Sequence, residues 1–173
     1  MTDSETLFQS QRFRVVRATQ TTPDGLQRSR EVIRHPGAVA ILPLLDDGRI
    51  CLIYNYRVSV GQTLIEIPAG TLEPGEDPDE TARRELIEET GYRPAAMQRL
   101  TAFYASPGIL DERMYLYVAT GIEPGATDLQ PDEDIRPLLV PFEEALEMVR
   151  DGRIQDAKSL AGLLYYDKFH RRK

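Results

Sequence analysis

Residues 70–92, GTLEPGEDPDETARRELIEETGY, constrain the fold more than any other stretch of this chain, because they set where one helix begins and where it ends. Pro74 and Gly75 form a turn signal. Asp77 suits an N-cap, where a carboxylate accepts an otherwise unpaired helix N–H, Pro78 suits the first helical position, and Glu80 follows three residues after the cap. The pattern predicts a helix from about Pro78 to Thr90. Gly91 ends it, since glycine enters the left-handed conformation without steric cost. Within that helix Glu85, Glu88 and Glu89 fall at i, i+3 and i+4, which at roughly 100° per residue places them in one sector, while Leu86 and Ile87 point elsewhere toward a core.

Three carboxylates on one face repel one another by a few tenths of a kcal/mol per pair, so a cation has to offset the arrangement. Mg²⁺, a hard ion that prefers oxygen ligands, is the expected one, with Mn²⁺ or another divalent ion as a substitute. The competing reading of the cluster taken alone is a solvated acidic helix face with Arg83 and Arg84 as local ion-pair partners.

At 173 residues, with 41% hydrophobic and 28% charged residues, the chain suits one globular unit with a short appendage and is neither disordered nor membranous in composition. No segment reaches the roughly 20 apolar residues of a membrane span, and the first residues lack a signal peptide's basic-then-apolar order, so a cytoplasmic protein is expected. The single cysteine, Cys51, lies in the apolar run Ile50-Cys51-Leu52-Ile53 and reads as a buried strand residue. A net charge of −7 argues against a nucleic-acid surface, which needs clustered Lys and Arg. The one locally basic stretch, 168–173, reads as a helix C-terminus that complements the helix dipole.

The first 35 or so residues alternate as strands do around the turn Pro23-Asp24-Gly25, which predicts a hairpin. Deeply apolar runs at 38–45 and 49–57, joined through Asp46-Asp47-Gly48, read as two core strands; 98–104 and 113–119 read as two more. Helices are expected at 141–150 and 159–170. The turn-rich, acidic stretch 123–134 has the composition of a mobile segment. The expected architecture is a mixed sheet held between helices, with residues 1–36 as an N-terminal β segment and 37–173 as the main domain.

Gly70, Glu76 after five intervening residues, and, after seven more, Arg84-Glu85-Leu86-Ile87-Glu88-Glu89-Thr90-Gly91 together resemble the signature of the Nudix hydrolases. Tyr92 departs softly from the aliphatic residue more usual there. The run RSREVIRHPG at 28–37, Tyr56-Arg57, Glu66-Ile-Pro-Ala-Gly70 and Ser106-Pro-Gly-Ile-Leu-Asp-Glu112 are similar to the ADP-ribose pyrophosphatases of that family, as is a proline 16 residues after the signature glycine, Pro107 after Gly91. The resemblance implies an α/β/α sandwich with a mixed sheet, preceded by a small antiparallel β segment. It also implies Mg²⁺-dependent hydrolysis of ADP-ribose to AMP and ribose 5-phosphate, and a homodimer that exchanges N-terminal segments. GDP-mannose, other nucleoside diphosphate sugars or flavin dinucleotides are the alternative substrates, and a ligand sensor without turnover is the rival outside the enzymes.

A diphosphate linkage resists attack because its oxygens repel a nucleophile, so a catalyst must neutralise charge, hold the phosphoryl group and activate water. Glu85 and Glu89, one turn apart, are the first candidates as metal ligands, joined by Glu88 and, by resemblance, the Ala69 carbonyl. Glu76 tunes the metal site from the preceding loop, and Arg84 orients the carboxylates. Glu112 matches the subfamily's position for a mobile glutamate that closes over substrate as general base; a signature glutamate acting on metal-held water is the competing base. Arg57 is a candidate phosphate clamp, a guanidinium being a bidentate fork, with Arg28, Arg34 and Glu66 as further substrate contacts. Ile109 and Leu110 are candidates to cover an apolar part of the ligand. His35 reads as a turn or packing residue.

Overall fold

A computed structural model describes residues 2–129 and 134–171. The N-terminal expectation of a hairpin holds and is extended: β2 (Arg14–Thr21) and β3 (Gln27–Arg34) pair antiparallel around the predicted turn, and β1 (Thr2–Gln9) adds a third strand on β2. The polar sequence of β1 gave no strand signal. It is supplied by pairing rather than by hydrophobic alternation.

Two further sheets make the main body. β4 (Ala38–Pro43), β7 (Ala69–Thr71), β8 (Arg93–Tyr104) and β9 (Arg113–Glu123) form a mixed sheet in the order β7-β4-β9-β8, in which only β4 and β9 run parallel. β5 (Arg49–Arg57), β6 (Gln62–Glu66) and β10 (Ile135–Pro141) form an antiparallel sheet in the order β10-β5-β6. The two apolar runs joined at Asp46-Asp47-Gly48 thus enter different sheets, linked by one bridge between Leu44 and Ile50. β10 was not foreseen, because Pro137 and Pro141 argue against a strand; an edge position tolerates the missing N–H groups.

All six residues of β4 are buried, as expected of a strand covered on both faces. Ala38, Ala40 and Leu42 join the larger core beneath α2 (Phe142–Arg150) and α3 (Ala157–Phe169), whereas Val39 and Ile41 pack with Leu72, Ala82, Leu86 and Tyr117 beneath α1 (Pro78–Thr90). The protein is therefore an α/β/α sandwich with a mixed sheet. The stretch 124–129 carries no regular element, and the remainder of the acidic segment, 130–133, lies outside the described residues, as do 172–173.

The helix that carries the carboxylates begins and ends where its sequence dictates. Asp77 caps it, accepting the Asp79 N–H at 2.8 Å, and Gly91 stops it at φ 75°. Its apolar anchorage is slender: Ala82 and Leu86 are its fully buried hydrophobic residues, and burying a leucine contributes only about 1.5–3 kcal/mol. Polar ties complete the docking. Tyr117 donates its hydroxyl to Asp79, Arg99 bonds both of them, and Arg83 donates to the Pro94 carbonyl at 2.9 Å.

Candidate active site

The acidic face of α1 is turned against the backbone of β7. Glu89 is 4% exposed and accepts the Ala69 N–H at 2.9 Å. Next to it, a Cβ placed on Gly70 would fall 1.8 Å from the Glu85 carboxyl carbon, so only a hydrogen fits between the strand and that carboxylate. This close approach accounts for the glycine at the head of the motif and shows that Glu85 is packed against the strand.

Arg84 lies among the acids. Its Nη1 donates to Glu85 at 2.8 Å and Glu88 at 3.1 Å, and its Nε and Nη2 each donate to Glu76 at 3.0 Å. These bonds to Arg84 hold the Glu76 carboxyl down at about 2, well below the ordinary carboxylate range. Arg84, not Arg83, is thus the local cation that offsets the cluster. Among the described residues no three acidic, thiol or imidazole groups converge closely enough to hold a metal ion as they stand. A divalent ion at this face would compete with the Arg84 guanidinium for the Glu85 and Glu88 oxygens. The donor set fits such an ion: three carboxylates from one helix face, a backbone strand packed against two of them, and hard oxygen atoms throughout.

A cleft opens over this face. One part, of 560 Å³, is lined by Arg12, Asn55, Arg57, Glu85, Glu89 and Asp134, and the other, of 430 Å³, by Arg57, Phe103, Tyr104, Glu112 and Lys158. Both share Arg57, Ala69, Gly70 and Thr71. Volumes of this order suit a small organic ligand.

Arg57 turns Nε and Nη2 to the Glu66 carboxylate, at 2.8 and 2.6 Å. Glu66 is 1% exposed and also receives Lys158 at 2.5 Å, so its oxygens address these cations inside the protein. Arg34 bonds Asp111 at 3.0 Å. Arg28 is an exposed residue of β3, and neither it nor Arg34 lines the cleft. Ile109 is exposed and Leu110 bridges to Ile33; neither lines the cleft.

Glu112 does line it, on a loop that is held rather than loose. Ile33 donates to the Ile109 carbonyl at 2.9 Å and Asp111 to the Ile33 carbonyl at 3.1 Å, while the Asp111 carboxylate takes the His35 N–H at 2.8 Å. The backbone before Glu112 is thus hydrogen-bonded to the end of β3, with the glutamate itself at the wall of the cleft. His35 Nδ1, which accepts the Gly37 N–H at 3.2 Å, stands 3.6 Å from the Glu112 carboxylate. His35 is thus a packing neighbour of the candidate base. Arg113, the next residue, lies over the Tyr115 ring.

Sequence reasoning missed Lys158, Asp156 and Ser159, whose only local signal was an aspartate at a helix start. Cys51 is buried as expected, and burial pushes its thiol up to about 12, which keeps it protonated.

The chain matches the NUDIX domain over residues 34–163. It is 40% identical over 145 residues to the ADP-ribose pyrophosphatase of Bacillus subtilis (strain 168), covering 83% of this chain and 78% of the relative. It is 41% identical over 145 residues to the methanol dehydrogenase activator of Bacillus methanolicus, with the same coverage of 83% and 78%. The GDP-mannose pyrophosphatase of Enterobacter sp. (strain 638) is 36% identical over 166 residues, covering 83% and 84%. Among solved structures, a crystal structure of an ADP compounds hydrolase superposes with a TM-score of 0.82 at 24% identity, covering 95% of this chain and 90% of that one.

Proposed function

The chain belongs to the NUDIX family, and from that premise we propose that this hydrolase splits the diphosphate bond of ADP-ribose to give AMP and ribose 5-phosphate. The observation that carries the reading is the carboxylate face of α1, packed on the Gly70 backbone at the floor of a cleft that also contains Arg57 and Glu112. Glu85, Glu88 and Glu89, with the Ala69 carbonyl, would hold Mg²⁺ or a related divalent ion. Bound there, the ion supplies positive charge against the diphosphate oxygens and acidifies the attacking water.

The chain's own groups do the rest. Arg84 keeps Glu85, Glu88 and Glu76 in one orientation. Arg57, held in plane by Glu66, clamps a phosphate. Glu112, fixed by the Asp111 anchorage, takes the proton from water. Glu112→Gln is expected to lower kcat by about 10²-fold or more with little change in metal affinity, measured by Mg²⁺ titration of turnover; near-normal kcat removes Glu112 from the mechanism and leaves a signature glutamate as the base.

The working form we propose is a cytoplasmic homodimer in which residues 1–36 dimerise and 37–173 carry the chemistry. Leu7, Phe8 and Leu26 are exposed on the N-terminal sheet, and only a partner's cleft would bring Arg28 to substrate. A monomeric mass by light scattering at micromolar concentration refutes this form.

A relative that acts on GDP-mannose supports one second reading, hydrolysis of that sugar nucleotide. A product assay over ADP-ribose, GDP-mannose and FAD with Mg²⁺ decides between them. Turnover fastest on ADP-ribose is expected; no turnover of any of the three overturns the hydrolase reading in favour of a ligand sensor.

A further inference from the structure

We propose that Lys158 is a positioning residue for the phosphate clamp, acting on Arg57 through the buried carboxylate of Glu66; the proposal rests on the reading of Arg57 as that clamp. Glu66 ends β6, almost wholly buried, with the Arg57 fork on both oxygens and Lys158 Nζ on Oε2 at 2.5 Å. Lys158, from the first turn of α3, is 10% exposed and lines the same part of the cleft as Arg57.

Arg57 and Lys158 share the Glu66 carboxylate, so neither cation alone has to satisfy it. Lys158 also pairs, at 2.9 Å, with Asp156, the N-cap of α3, which accepts the Ser159 N–H at 3.0 Å and hydroxyl at 2.6 Å. Burial would raise the Asp156 pKa; the Lys158 charge and the Ser159 bonds outweigh this and hold it below its ordinary value.

Docking of α3 does not depend on Lys158. The Ser159 hydroxyl accepts the Ile67 N–H at 2.8 Å, and Gly162 and Leu163 pack into the core, so the helix is fastened without it. What Lys158 alone supplies is a second cation on Glu66. With one cation removed, a buried carboxylate is left with an uncompensated oxygen and draws harder on the cation that remains. The Arg57 fork, already on both oxygens, would then be held more tightly against Glu66 and yield less readily to a phosphate.

The test is a double-mutant cycle on the full chain with ADP-ribose and Mg²⁺. K158M is expected to raise KM about tenfold with kcat changed less than about threefold, and to raise KM less than about twofold further when added to R57A. Equal KM increments in both backgrounds mean that Lys158 meets substrate directly, and overturn the proposal. A lower melting temperature with unaltered KM means a merely structural role, and overturns it too. Should K158M fail to fold, K158Q, which keeps a donor for Glu66, carries the same cycle. R57A with unaltered KM overturns the clamp reading itself, separately from the coupling.

Discussion

Replacing Glu89 by glutamine is expected to lower kcat for ADP-ribose by about 10³-fold or more while leaving the fold intact. Glu89 is the most buried of the three acids on its helix face and accepts the Ala69 N–H, the backbone group next to Gly70. Glutamine keeps the length of the side chain and a carbonyl oxygen for that N–H, so the strand remains seated. What is removed is the charge, at a position where burial leaves little water to replace it and where a hard cation most needs an anionic ligand. The apparent Mg²⁺ requirement should rise together with the loss of turnover, and thermal unfolding should shift by only a few degrees. A variant within tenfold of the parent kcat at saturating Mg²⁺ excludes Glu89 from the metal-holding set.

The helix and its acidic face were legible in the sequence because their signals are local. Asp77, Pro78 and Gly91 each act within one helical turn, and the spacing of Glu85, Glu88 and Glu89 converts directly into a shared face once the helix is accepted. The cover of β4 by helices on both sides was legible for a related reason, an unbroken apolar run.

Other features depend on what stands opposite. β10 contains two prolines and becomes a strand only because β5 offers an edge, and β1 is too polar to announce itself without β2. Glu66 could be named as a site residue, but its burial under two cations could not, since Lys158 follows it by 92 positions and no periodicity relates them. Likewise the anchorage of the Glu112 loop is written in Asp111 meeting Arg34 and His35, contacts that exist only after β3 has been brought to that edge. Residue types reveal candidate chemistry, whereas its charge balance is fixed by tertiary neighbours.

The second large effect separates activity from stability. Gly70→Ala is expected to reduce kcat by about 10²-fold with thermal stability held or slightly increased. Gly70 has no positive φ, so alanine fits its backbone, and a Gly→Ala change at such a position tends to stabilise by about 0.4–1 kcal/mol by restricting the unfolded chain. The obstacle is a side chain: the new methyl would lie 1.8 Å from the Glu85 carboxyl carbon and 2.0 Å from Oε1. A flexible glutamate tip yields more readily than a strand paired to β4, so Glu85 swings away and β7 stays. Arg84 loses a partner at 2.8 Å and the face loses one of its three acids. Turnover and a melting curve on the same preparation check the result. Unaltered kcat at unaltered stability shows that the packing of β7 on Glu85 does not set the active geometry, and a collapse of both together shows that the strand, not the glutamate, gave way.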